Sequence, residues 1–472
     1  MHTQQYVLFA DRHHAVRTVL VVSPKGPMFR RIVQSTLGRL APDGWRIRLI
    51  FWVGAVLVGL VASFFARAAD YANHLFHQLV AISPYLPLVV TPSLIMLAAW
   101  ITQRWFPGAE GSGIPQCIAA LDIHEESVRA RMLSWRIAFG KILLTLLGLL
   151  SGASIGREGP TVHIGAALLF SLGRLGRFPF HYMDRGMILA GGAAGIAAAF
   201  NTPLAGILFA IEEMSRSFEE RTSGTLITAV LLAGVTSIAL LGNYTYLGIV
   251  PANVSVRTGL LPVLVCGVAG GLLGGLFSSL LIHGQRRLRP IYKRHALKVA
   301  GICGLAIALI GLASGGLTYG SGYDAARGLV QNTQAVNDSF PYLKLLATAV
   351  SYWSGIPGGI FAPSLATGAG LGAHLAHWFP HTQLAAMVLL GTVAYFAGVV
   401  QTPITAFVIV MEMTHNNDLL IPLMASAFIA YGTSRLVCPK PIYRALAEDF
   451  LSTAPKSAPA VAEPPAPSTK VP

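Results

Sequence analysis

Three glycine- and proline-rich breaks interrupt apolar sequence. They are GSGIP (Gly111, Ser112, Gly113, Ile114, Pro115), GREGP (Gly156, Arg157, Glu158, Gly159, Pro160) and GGIFAP at 358–363, which holds Gly359, Ile360, Phe361, Ala362 and Pro363. Each stands directly ahead of an apolar stretch. Proline fits a first helical turn, glycine lets the backbone approach a ligand, and the unpaired N–H groups of a helix start attract anions. Three such starts aimed at one point would hold an anion by partial charges, which can replace water yet still release the ion. The same residues also serve as ordinary turns between packed membrane helices, where Gly and Pro are common. Glu158 is the most informative carboxylate, because an acid inside apolar sequence is costly unless paired, protonated or functional. Ionised, it resembles an anion and competes for a helix-start site; protonated, it loses that attraction and can swing away. A plain ion pair with its neighbour Arg157 is the structural alternative.

These breaks need membrane helices to position them, and the composition supplies them. Of 472 residues, 54% are hydrophobic and only 11% charged, under half the usual charged share of soluble domains. Apolar runs near 49–69, 79–101, 137–150, 186–200, 203–214, 225–242, 260–282, 297–313, 343–353, 384–399, 403–413 and 419–437 exceed what one water-soluble core could hide. Several are too short to cross hydrocarbon unbroken, and interrupted helices survive at membrane depth only where protein or a wet cavity covers their ends. The net charge of +14 does not indicate a nucleic-acid partner, because the cations cluster between apolar segments as in cytoplasmic loops of membrane proteins. The linker 285–298 carries six Lys and Arg and no acid, so it belongs with the basic N-terminal segment on the cytoplasmic side.

The chain is internally duplicated. GGAAGIAAAFNTPLAGILFAIEEM at 191–214 overlays 391–414 with a shift of 200, matching Gly191/Gly391, Thr202/Thr402, Pro203/Pro403 and Glu212/Glu412. SGASIGREGPTVHIGA at 151–166 overlays 354–369 with a shift of 203, matching Gly156/Gly359, Pro160/Pro363 and Gly165/Gly368. Internal symmetry of this kind marks transporters. The expected organisation is a basic cytoplasmic segment over 1–48, a first membrane repeat over 49–243, a linker over 244–259, a second repeat over 260–448 and a disordered Pro- and Ala-rich tail over 449–472. The sequence alone leaves open whether the repeats are parallel or inverted.

GSGIP, GREGP and GGIFAP, in this order and with the duplicated halves, TPLAGILFAIEEM and a late Tyr443 in PKPIY, resemble the filter motifs of the CLC family of chloride channels and chloride/proton exchangers. The resemblance covers about residues 45 to 448. It implies an all-α integral membrane fold built as an inverted repeat of tilted, partly discontinuous helices, and a homodimer with one pore per subunit. It implies that Ser112 and Tyr443 donate their hydroxyls to chloride and that the N–H groups of Ile360 and Phe361 complete the cradle. Nitrate-preferring members tend to carry proline where this chain has Ser112, so serine favours chloride. By the same resemblance Glu158 is the external gate and proton carrier, and Glu213 holds the internal proton-transfer position, where family channels usually lack an acid. The expected function is therefore chloride/proton antiport, with a passive voltage-gated chloride channel as the alternative. One departure weighs against exchange: where many exchangers have acids soon after GSGIP, this chain has Gln116, Cys117 and Ile118.

The remaining reactive side chains offer no competing chemistry. Cys117, Cys266, Cys303 and Cys438 are scattered with no close pair, so neither a zinc site nor a disulfide framework is expected. His163, one turn past Glu158, reads as a neutral hydrogen-bonded side chain. His283, His295, His374 and His377 form no metal-ligand arrangement, the spacing of His374 and His377 three apart reads as a helix-face coincidence, and no metal site or cofactor is expected. Ser112, Ser151, Ser314, Ser321 and Ser354 each precede glycine, but none has glycine two residues before it, which disfavours a serine hydrolase, and the chain is expected to be no enzyme. Chloride, protons and lipid are the expected partners. The absence of appended regulatory sequence points to a bacterial inner-membrane protein, multi-pass, with both termini cytoplasmic.

Overall fold

The computed structural model describes residues 42–175, 181–216, 220–254 and 256–452; most of the N-terminal segment and of the C-terminal tail lies outside them. The chain divides into a short unit, Met1–Ile50, and a large one, Phe51–Pro472, and the packing below concerns the second. Apart from two isolated backbone bridges, the described residues form helices and turns. The first half comprises α1 (Pro42–Ile82), α2 (Pro87–Trp105), α3 (Ile114–Asp122), α4 (Glu126–Met132), α5 (Trp135–Leu150), α6 (Glu158–Leu175), α7 (His181–Phe200), α8 (Pro203–Phe209) with a π-helical turn (Ala210–Ser215), and α9 (Glu220–Leu241). The second comprises α10 (Val256–Ala313), α11 (Tyr323–Val330), α12 (Phe340–Trp353), α13 (Phe361–Ala376), α14 (Leu384–Val400), α15 (Pro403–Thr414), α16 (Leu420–Val437) and α17 (Ile442–Leu451).

Several boundaries differ from those read off the sequence. The apolar run ending at 69 does not end α1, which continues through Asp70, His74 and His77 to Ile82. No Gly or Pro occurs between Gly59 and Pro84, so nothing breaks the backbone ladder there. The basic stretch 285–298 is helical rather than a loop, lying within α10, whose two arms meet at a kink where His295 leaves helical dihedrals. The inter-repeat linker is shorter than expected, because α10 begins at Val256, and α17 carries the helix three residues into the segment assigned to the tail. At the other end α1 starts at Pro42, inside the segment assigned as 1–48.

Five helical stretches, Arg48–Ile82, Glu126–Leu150, Gly224–Leu241, Gly259–Ala313 and Leu420–Val437, are long and apolar enough to cross a membrane. Their outward residues include exposed Phe64, Val235, Ile302 and Ile421, which suit lipid. By contrast α6 and α13 are buried along almost their whole length, so their starts can sit deep without facing hydrocarbon. Each packs against the next helix through small residues: a Cβ on Gly165 would overlap the Gly191 carbonyl, and one on Gly368 would stand 2.7 Å from the Gly391 carbonyl. Small residues allow this close approach of helices in membranes.

The duplication is visible as contacts between equivalent residues. Gly156 and Gly359, matched in the sequence overlay, pair antiparallel: Gly156 N–H donates to Gly359 O at 2.7 Å and Gly359 N–H to Gly156 O at 2.8 Å. Residues that pair antiparallel with their own counterparts have a two-fold axis between them, the relation that an inverted repeat requires. Farther along, the same axis relates a reciprocal exchange of caps. Glu412 accepts from the N–H groups of Leu204 (3.1 Å) and Ala205 (2.7 Å) at the start of α8. Glu212 accepts from those of Ile404 (3.1 Å) and Thr405 (2.6 Å) at the start of α15. A carboxylate there satisfies orphan donors and complements the helix dipole. We predict that Glu412→Ala lowers stability by about 1–2 kcal/mol, read as a drop in the thermal unfolding midpoint in detergent. An unchanged midpoint would show that the cap contributes nothing.

Candidate functional site

The three breaks meet. Gly111 N–H donates to Ile356 O at 3.2 Å and Gly358 N–H to Gly111 O at 3.1 Å, which joins the first break to the third. The Gly156–Gly359 pair joins the second to the third. Consequently α3, α6 and α13 all begin at one buried locus. A Cβ on Gly159, in the first turn of α6, would overlap Ser112 Oγ, so the Ser112 hydroxyl rests against that turn. Gly113 caps α3 at φ 100°, and a Cβ there would stand 2.6 Å from His163 Cβ; only glycine meets both demands.

Neither α3 nor α13 has a side-chain cap, although Gly113, Ile114, Ile360 and Phe361 are buried. A buried helix start without partners is a place for a ligand. Ser112 and Tyr443 are also fully buried, and their hydroxyls approach one another without closing a normal hydrogen bond. Two buried donors and two uncapped amide clusters around one point can hold an anion with no formal positive charge in contact, since Ser, Tyr and backbone N–H groups are neutral donors. Tyr443 comes from α17, which packs on α3. The Phe361 ring anchors the start of α13 among Phe200, Phe209 and Phe396, with centroids at 5.3, 6.4 and 4.3 Å.

Glu158 is buried at the start of α6. Its carboxylate folds back over Gly156, where any Cβ would overlap Oε2, and lies beside the Ala362 amide in the first turn of α13. The acid thus reaches the helix start that would otherwise serve an anion. Arg157 does not form its ion pair with Glu158: the guanidinium binds Asp70 of α1 at 2.5 Å and Ala66 O at 2.6 Å. The pairing alternative for Glu158 therefore fails. A cavity of about 340 Å³ opens onto the carboxylate, lined by Asp70, His74, His77, Arg157, Tyr246 and Tyr323 among others.

Glu213 sits apart from this cluster, on the π-helical turn after α8. It is fully buried, and its carboxylate approaches the Thr402 hydroxyl without closing a normal hydrogen bond. A solvated acid at a helix end would be exposed, and Glu213 is not. The turn packs against α3, and Tyr443 lies near enough to interact electrostatically with both Glu213 and Glu158. In the second half the counterpart of Glu213 is Met413, on an uninterrupted helix; π-turns often mark functional positions. Gln116, where an acid was absent in the sequence, donates instead to Glu110 O at 2.7 Å. His163 contacts Met132 O at 3.0 Å through Nε2.

Sequence reasoning missed three contributors. Tyr246, in the segment between α9 and α10, donates to Glu158 Oε1 at 3.4 Å and is held edge-on against Phe200 and Tyr323. No local pattern announces it. Lys141 and Lys344 are fully buried and stand 203 positions apart, the shift of the second overlay. Lys141 Nζ donates to Gly111 O at 3.1 Å, and Lys344 Nζ to Gly320 O at 2.8 Å and Thr318 O at 3.0 Å. Each ties down the glycine turn ahead of a short helix, α3 or α11. Extending the overlay would have paired them.

Comparison with known proteins agrees with this geometry. Residues 94–435 match the family described as voltage gated chloride channel. The chain is 30% identical over 419 residues to the H(+)/Cl(-) exchange transporter ClcA of Yersinia pestis, covering 84% of this chain and 85% of that protein. To the ClcA transporter of Salmonella arizonae it is 31% identical over 452 residues, covering 89% and 90%. A crystal structure of a slow cyanobacterial Cl-/H+ antiporter superposes with a TM-score of 0.76 at 25% identity, over 87% of this chain and 99% of that one. The chain belongs to the voltage-gated chloride channel family, whose members move ions across membranes.

Proposed function

We propose that this chain exchanges chloride for protons across a membrane. Chloride sits among the Ser112 and Tyr443 hydroxyls and the N–H groups of Ile360 and Phe361. Ionised, the Glu158 carboxylate competes for the first turn of α13; protonated, it gives way to chloride and carries the proton to the 340 Å³ cavity. Glu213 receives and delivers protons on the other side of the site. The observation that carries this reading is the convergence of uncapped helix starts and unpartnered hydroxyls on one buried locus that Glu158 also reaches. The relatives named as H+/Cl− exchangers support the coupling. No cofactor enters the cycle.

We further infer a homodimer with one pore per subunit in the bacterial inner membrane, in contact with lipid and with both termini cytoplasmic. Apolar, exposed side chains on α8, α9, α15 and α16, such as Leu204, Leu231, Ile404 and Phe428, suit a protein interface within lipid. The acid-free cationic stretch of α10 fits the cytoplasmic side, and the relatives named above are bacterial. The deciding experiment reconstitutes the purified protein in vesicles and measures its reversal potential under opposed chloride and proton gradients. The expected potential depends on both gradients. A potential set by chloride alone would make the protein a passive channel and remove the exchange reading.

A further inference from the structure

The end of α13 remote from the anion site carries a second cluster of ligating groups. His374 occupies its last turn and His377 follows it, while Asp338 comes from the turn ahead of α12. His374 Nδ1 lies 3.2 Å and His377 Nδ1 3.7 Å from Asp338 Oδ1, and one ligand atom of each residue lies within 4.8 Å of the other two. A zinc ion with bonds of about 2.0–2.1 Å sets tetrahedral ligand atoms about 3.3 Å apart. The two distances to Asp338 Oδ1 already stand close to edges of such a tetrahedron. The two imidazole planes are perpendicular, at 90°, so they do not stack on one another. The His374 ring is steadied edge-on by Tyr342 at 6.2 Å. His377 Nδ1 also approaches His374 O at 3.2 Å, a contact that a metal bond replaces.

We propose that Asp338, His374 and His377 bind one divalent transition-metal ion of the zinc class, with water in the open fourth position. Two imidazoles and one carboxylate suit zinc, nickel or copper, whereas calcium and magnesium demand mainly oxygen ligands. Asp338 and His377 are exposed, so the ion enters from solvent. Once bound, it fastens the turn ahead of α12 to α13, the helix whose first turn faces the anion site. By sequence alone the two histidines were a helix-face coincidence; folding supplies the third ligand.

Titration of the tag-free, detergent-purified protein with zinc chloride by calorimetry tests this. One zinc per subunit is expected, with affinity reduced at least about tenfold by His377→Ala or Asp338→Asn and retained in Asp338→His, which keeps a third ligand. His283→Ala, on α10, is expected to bind like the parent. Absence of zinc binding at millimolar concentration, or undiminished binding by the double variant His374→Ala/His377→Ala, would overturn the site.

Discussion

Glu158→Ala is expected to carry chloride without protons. In vesicles with an outward chloride gradient the parent protein should take up protons against their own gradient, while the variant's proton uptake falls about a hundredfold or more, the scale on which removal of a positioned proton carrier acts. Chloride passage survives because the Ser112 and Tyr443 hydroxyls and the starts of α3 and α13 are untouched, and alanine removes the one side chain that reaches over Gly156 to the α13 start. The reversal potential should move to the value set by chloride alone. Glu158→Gln should also lose proton uptake, since the amide cannot exchange a proton at this position, but it keeps the bulk of the side chain. Undiminished proton uptake in either variant removes Glu158 from the role of carrier.

Glu213→Gln tests the other end of the proton route and should give a different pattern. The carboxylate is buried and closes no normal hydrogen bond, so an isosteric amide introduces no clash and leaves the protein folded. Proton flux is expected to fall by about a hundredfold, whereas chloride affinity, measured by calorimetry, should change by less than about threefold because the chloride cradle is formed by other residues. Chloride affinity lost together with proton flux would assign Glu213 to the anion site rather than to a separate relay. Glu212, its neighbour, serves as the internal contrast. Its carboxylate is committed to the Ile404 and Thr405 amides, so Glu212→Gln should alter stability rather than coupling. The two adjacent acids face apart, as neighbouring residues on a helix do, Glu212 towards the start of α15 and Glu213 into the buried interior.

Much of the site was legible because its signals are local. A helix start is written in a few consecutive residues, Gly and Pro followed by an apolar stretch, and the acid inside GREGP stands out because, beside Arg157, it is the only Asp, Glu, Lys or Arg between Lys141 and Arg174. Other features were opaque for an equally plain reason. The helical character of Asp70 to Ile82 is not marked by any apolar run, because polar residues continue a helix that no Gly or Pro interrupts, and the basic stretch in α10 stays helical even through Pro290. Tyr246 lies in an irregular segment where no period places its side chain. Lys141 and Lys344 carry an ordinary charge in sequence, and only their burial beneath glycine turns makes them informative.

By itself the sequence determined that the chain is a duplicated membrane protein, where its helices break and which acids interrupt its apolar segments, since each depends on residue type and spacing within a short stretch. Tertiary structure alone decided that the halves are inverted, that three distant helix starts share one point, that Glu158 turns towards α13 while Arg157 turns to Asp70, and that Asp338 meets two histidines. These are contacts between segments far apart along the chain, and their geometry follows from how whole helices pack rather than from what any one segment prefers.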